Sequence, residues 1–178
     1  MDPDEHLIAT SAALDADERA LSIHEAGHAV VAHALGADVE FVEVYVSRPS
    51  PHNGKMGGGE TRCREPFASD LKGLTVCVAD YKAELAFAAE EQELAKMFAR
   101  DERLAGDSTL MQQLLSRFPE AERLAALVDG FTLADENLRA NECAVRDIAA
   151  TLFERRFIDE ARIEGDKLAA LLAGVRRI

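Results

Sequence analysis
The segment Leu21-Ser22-Ile23-His24-Glu25-Ala26-Gly27-His28-Ala29-Val30-Val31 sets two histidines four residues apart inside an apolar helical pattern. It constrains the fold more than any other stretch. On an α-helix, residues four apart are neighbours on one face, with Cβ atoms about 5–6 Å apart, so both imidazoles are directed to one place. Leu21, His24, His28, Val31 and Leu35 share a stripe while Ile23, Val30 and Ala34 line another side, which turns the histidines toward the interior. Burying two imidazoles is costly unless they meet partners. A shared divalent ion is one such partner; core carbonyls or carboxylates are the other. The helix is expected to be capped by Asp15 or Asp17 and to run to Leu35, ending at Gly36. Gly27 in its interior costs about 1 kcal/mol relative to alanine, which predicts close approach by another element.

His24-Glu25-x-x-His28 is also the HExxH pattern of zinc hydrolases. With 5 histidines in 178 residues, chance supplies roughly 0.015 such motifs per chain, so the match is informative. The spacing places two of the three protein ligands that a catalytic zinc needs. Glu25 lies about 100° round the helix from His24, where a carboxylate can take a proton from water activated by the metal. The third ligand has to come from elsewhere, since His33 is the last histidine of the helix and His52 lies in a Pro/Gly-rich loop. Asp107 and Glu84 are the candidates.

The remainder reads as a mainly α chain with a small β ribbon, an α+β class. Phe41 to Val46 alternates with period two, and after the Pro/Gly/Asn-rich connection from Pro49 to Gly59 a second extended segment is predicted near Glu60-Thr61-Arg62. Ser69 is a plausible cap for a helix with Leu74, Val78, Tyr81, Leu85 and Ala88 on one stripe, continuing with a break to Leu104. Asp107-Ser108-Thr109 opens a helix whose apolar face is Leu110, Met111, Leu114, Leu115 and Phe118, stopped by Pro119. A short helix follows from Glu120, a long one spans Asp135 to Phe157, and a terminal one Gly165 to Leu172. Residues 1–14 are expected as a flexible arm and 15–178 as one domain, long enough to bury a core.

Composition excludes several classes. A net charge of −13 repels phosphate backbones, so nucleic acid is not an expected ligand. No apolar run approaches the roughly 20 residues of a membrane span, and the acidic Met1-Asp2-Pro3-Asp4-Glu5 start lacks the basic and apolar regions of a secretory signal. A cytoplasmic location and no direct membrane insertion are the expectations. Cys63, Cys77 and Cys143 are odd in number and widely spaced, which predicts thiols rather than a disulfide framework or a zinc knuckle.

The motif helix Ser22–Val31 resembles that of the FtsH-type zinc peptidase domain. Val78 to Glu84, with Ala83-Glu84, resembles the family's small-residue helix carrying an Ala-Glu pair, and Asn141 to Leu172 its closing helices. The resemblance covers residues 20–175 in outline and the motif helix most closely. It implies a zincin-like helical metallopeptidase domain in which an aspartate at the start of a later helix is the third zinc ligand. Asp107 stands in that context, although ungapped alignment of Gly106-Asp107-Ser108-Thr109-Leu110 places Leu110 at the family's position. By the same analogy Glu84 would orient a ligating histidine, with a role as ligand if Asp107 is not one, and the Phe41–Val46 strand with Gly57–Thr61 would match the ribbon that holds an extended peptide. The family's ATP-driven module is not represented, since no GxxxxGK[ST] motif occurs.

The expected activity is zinc-dependent peptide-bond hydrolysis, with one zinc per chain on His24, His28 and Asp107, Glu25 as general base, and flexible or unfolded peptides as substrates without ATP of the chain's own. The alternative is a binding or regulatory module that keeps the peptidase fold but turns over weakly or not at all.

Overall fold
The computed structural model describes residues 3–45, 58–87, 105–155 and 161–177. The first helix, α1 (Pro3–Ala34), opens well ahead of the Asp15 and Asp17 caps and takes in the stretch expected as an arm. His6 to Ala16 contains no Gly or Pro and is rich in alanine, which loses least in a helix. Pro3 stands at the opening turn, where its missing N–H is not needed. The C-terminal end is where the glycine signal puts it. Gly36 adopts φ 91°, and the Gly36 and Ala37 amides bond back to His33 and Ala32 carbonyls at 2.9 Å each, closing the helix with a left-handed residue.

Strands β1 (Val39–Tyr45), β2 (Gly58–Cys63) and β3 (Ala161–Glu164) form an antiparallel sheet in the order β2-β1-β3. In β1 the residues Val42 and Val44 are buried; Val42 stands opposite Thr61 of β2 and Ile163 of β3, and Val44 opposite Gly59. This inner face packs on α1. On the outer face the ring of Phe41 lies between the guanidinium groups of Arg162 at 3.7 Å and Arg62 at 5.1 Å, which shield an aromatic that would otherwise face water. β3 was not expected from the sequence. Four residues are too few to show a period of two, and the strand exists through its pairing with β1.

Five of the remaining elements are helices that surround α1 or brace one another: α2 (Asp70–Cys77), α3 (Ala79–Phe87), α4 (Ala105–Ser116), α5 (Arg123–Ala140) and α6 (Glu142–Arg155). A 3-10 turn at Glu120–Glu122 precedes α5, and α7 (Gly165–Leu172) closes the described chain. Ser69 caps α2 by accepting from the Lys72 amide at 3.3 Å. The helix expected to continue from Ser69 to Ala88 is interrupted at Val78, and residues 88–104 lie outside the described residues. The helix expected over Asp135–Phe157 is likewise two helices, α5 beginning earlier and α6 following a joint at Asn141; Phe157 also lies outside the described residues. At that joint the Asn141 side chain accepts from the Arg176 amide at 2.6 Å and donates to Asn137 O at 2.9 Å. A tertiary bond to the C-terminal segment thus holds a break that apolar periodicity does not reveal. The architecture is mainly helical with a small antiparallel sheet. No helix among the described residues is long and apolar enough to cross a membrane.

The helix α1 is central, in contact with the sheet, α3 and α6. Its approach to α3 depends on Gly27. A Cβ there would fall 2.6 Å from Ala83 Cβ and 3.1 Å from Ala79 O, so the two helices meet across glycine and alanines. Gly27→Val should therefore destabilise the protein by about 1–3 kcal/mol through overpacking, read as a lower Tm in a thermal melt; an unchanged Tm would show that the contact is slack. The same close approach slides the acidic side of α3 under the histidines of α1.

Candidate metal centre
His24, Glu25 and His28 occupy the well-packed middle of α1, and all three are buried. The partners of the two rings come from α2 and α3. His24 Nδ1 lies 2.6 Å from Glu84 Oε1, and His28 Nδ1 lies 2.8 Å from the carbonyl oxygen of Val76. A carbonyl can only accept, so His28 Nδ1 is the protonated nitrogen; the Glu84 carboxylate asks the same of His24. With Nδ1 of each ring engaged, Nε2 is the atom left to face an ion, the arrangement in which an outer acceptor fixes tautomer and orientation of a ligating histidine. Val76 sits in the last turn of α2, where its carbonyl takes the His28 ring beside the Val78 amide that caps the helix.

Asp80 completes a group of three residues that could hold a metal ion. His24, His28 and Asp80 each offer an atom within 4.8 Å of the others, and His24 Nε2 is 3.7 Å from Asp80 Oδ2. That separation is too long for a good hydrogen bond. Ligand atoms about 2.0–2.2 Å from one tetrahedral ion are about 3.4 Å apart, so these residues fit a divalent ion between them. The rings themselves are 5.0 Å apart at 84°, which separates their edges rather than stacking them. Charge is consistent with an ion. Asp80 is 2 %, Glu25 4 % and Glu84 9 % exposed, and burying three carboxylates is expensive unless positive charge accompanies them, from a bound cation or from a protonated imidazole.

Glu25 is placed beside this position and outside the donor set. Its Oε1 is 4.0 Å from His24 Nε2, while Oε2 accepts from Thr61 Oγ1 at 2.9 Å. The carboxylate opens onto a cleft of about 570 Å³ walled by β2, His28, Phe67, Val76 and Leu110, within the roughly 300–1,000 Å³ of ordinary ligand sites. Cys63 lines the same wall. Burial pushes its thiol up to about 11, so at neutral pH it is protonated and a poor nucleophile or ligand. The groups left to act at the cleft are the carboxylate of Glu25 and the imidazole of His28.

The structure brings together His24, Glu25, His28 and Glu84 as the motif and its likeness suggested, with Glu84 against the Nδ1 of His24. Asp107 falls in the first turn of α4, and its side chain lies outside the described residues. Leu110, one turn further on, borders the cleft and is 45 % exposed rather than part of an apolar core. The residue that sequence reading missed is Asp80. The stripe Leu74-Val78-Tyr81-Leu85 suggested which side of α3 is buried, yet Leu85 is exposed and the buried side holds Asp80 and Glu84. A usable signal was present: two acidic residues four apart, Asp80 and Glu84, share one helix face, matching the His24/His28 pair in spacing. The chain matches no protein-family model and no curated protein sequence, so the site is interpreted from its own geometry.

Proposed function
We propose that this chain is a zinc-dependent peptidase in which His24, His28 and Asp80 hold the ion and Glu25 is the general base. The observation that carries the reading is that His24, His28 and Asp80 each bring one potential ligand atom within 4.8 Å of the others, with a carboxylate oxygen of Glu25 4.0 Å from His24 Nε2. Two imidazoles and one carboxylate are the donors of a catalytic zinc with an open position. The same donors also hold ferrous iron in oxygenases; Glu25 at the rim of the position favours hydrolysis, and metal analysis decides. When bound, the ion supplies a Lewis acid that acidifies water and polarises a carbonyl. Glu25 takes the proton from the attacking water and then delivers it to the leaving amine. Glu84 and Val76 O keep the two rings aimed.

Peptide as substrate is supported by β2. It is an outer strand of the sheet among the described residues and runs along the cleft beside Glu25, so an extended segment can pair with it through main-chain bonds. The net charge of −13 disfavours encounter with strongly acidic segments. The likeness to the FtsH-type zincin domain supports the same reading through the motif helix and Ala83-Glu84. The third ligand proposed here is Asp80, in the first turn of α3, in place of Asp107, in the first turn of α4, to which that likeness pointed. Flexible or already unfolded peptides are the substrates that pairing along β2 can take.

The test is metal content together with cleavage of unstructured peptides, before and after chelation. Near-stoichiometric zinc and cleavage restored by zinc support the reading; a protein that takes up no zinc after reconstitution removes it. Glu84→Ala should weaken zinc binding by about 10–100-fold in competition with a chromogenic chelator, because His24 loses the acceptor that orients it. Unchanged affinity would mean that the 2.6 Å contact contributes nothing to the site.

A further inference from the structure
The two oxygens of Glu25 have different surroundings, and the difference is made by β2. Oε2 accepts from the hydroxyl of Thr61 at 2.9 Å, and the same hydroxyl lies 3.0 Å from the backbone carbonyl of Glu25. Oε1 is the oxygen nearer His24 Nε2. It lies in space that only a glycine leaves open, since a Cβ on Gly59 would fall 2.5 Å from Oε1 and 2.7 Å from Cδ. Gly59 and Thr61 are two apart on one strand, so their side-chain positions share the inner face. That face therefore offers the carboxylate a hydroxyl at Oε2 and, at Gly59, the room its Oε1 side occupies.

We propose that Thr61 is a positioning residue for Glu25: its hydroxyl anchors Oε2 and thereby turns Oε1 toward the point shared by His24, His28 and Asp80. The inference rests on the peptidase reading for its catalytic consequence, though the Thr61–Glu25 link itself does not. A glutamate side chain has three rotatable bonds and sweeps a wide arc when unrestrained. Proton transfer needs the base within hydrogen-bond reach of the water, and a misplacement of about 1 Å can cost on the order of 100-fold in rate. A strand that also borders the cleft is a rigid support for this contact, more so than a loop. It gives β2 a second task besides pairing with substrate.

The experiment compares Thr61→Val and Thr61→Ser in the zinc-loaded protein, with kcat, KM, bound zinc and Tm measured for each. Thr61→Val should lower kcat by roughly 10–100-fold with zinc content unchanged and KM within about twofold, and Thr61→Ser should restore most of kcat because it keeps the hydroxyl. A readout independent of turnover is a double-variant cycle with Glu25→Ala: the Tm loss caused by Thr61→Val should shrink when the carboxylate is already gone. A Thr61→Val protein as active as the wild type, or a kcat loss matched by lost zinc or not rescued by serine, overturns the proposal. So does a Tm loss that is undiminished in the Glu25→Ala background. A wild type that binds zinc yet cleaves no peptide overturns the peptidase reading instead, and the cycle still decides whether Thr61 holds the carboxylate.

Discussion

Glu25→Gln should reduce peptide cleavage by about 10²–10⁴-fold, the usual contribution of a positioned general base, while zinc content and Tm stay close to those of the wild type. The substitution is nearly isosteric, and the glutamine oxygen can still accept from Thr61 as Oε2 does at 2.9 Å. What it removes is the capacity to take a proton. Because Glu25 lies beside the three donors and is not one of them, the ion should remain. The split between lost turnover and retained zinc is what distinguishes a base from a ligand. A variant that loses zinc as well would place Glu25 in the coordination shell. If the wild type itself cleaves nothing and the variant behaves identically in every assay, the chain is a binding module on a peptidase-like fold.

Asp80→Ala should weaken zinc binding by more than about 100-fold, beyond the roughly 10–100-fold that follows from disturbing an outer-shell partner. It removes the only carboxylate among the described residues that groups with both histidines as a possible donor set. Stability supplies a second readout. A ligand held at 1,000 times its Kd adds about 4.1 kcal/mol to the folded state, so zinc should raise the Tm of the wild type markedly and that of Asp80→Ala much less. Asp107→Ala is the matched control. If Asp107→Ala loses zinc and Asp80→Ala keeps it, the third ligand comes from α4, as the FtsH-type likeness implies, and the assignment to α3 is wrong. If both variants keep zinc, the third ligand is another carboxylate beside His24, Glu84 or Glu25.

Asp80 was missed for a physical reason. Apolar periodicity locates the side of a helix that avoids water, and on Leu74-Val78-Tyr81-Leu85 it points away from Asp80 and Glu84. It carries no information on carboxylates that are buried because a cationic partner shares their charge. The break at Val78 compounds the difficulty, because a stripe counted through an interruption changes phase. Similar reasoning accounts for Asn141. Nothing local in the Asp135–Phe157 pattern marks a joint there, and the bonds that hold it are made to Arg176, 35 residues away. β3 is too short to announce itself at all.

Local chemistry alone was enough for the motif helix, its glycine-closed end, the paired histidines facing inward, the ribbon strands β1 and β2 and the close contact at Gly27. Each depends on residues within a few positions of one another, where helical or strand geometry dictates which side chains are neighbours. The choice of third donor, the Val76 carbonyl that aims His28, the hydroxyl of Thr61 on Glu25 and the third strand were decided only when distant segments packed. Those contacts join residues 36 to 60 positions apart in the site and more than a hundred apart in the sheet. Their partners are selected by core packing around α1, a property of the whole chain that no short window of sequence contains.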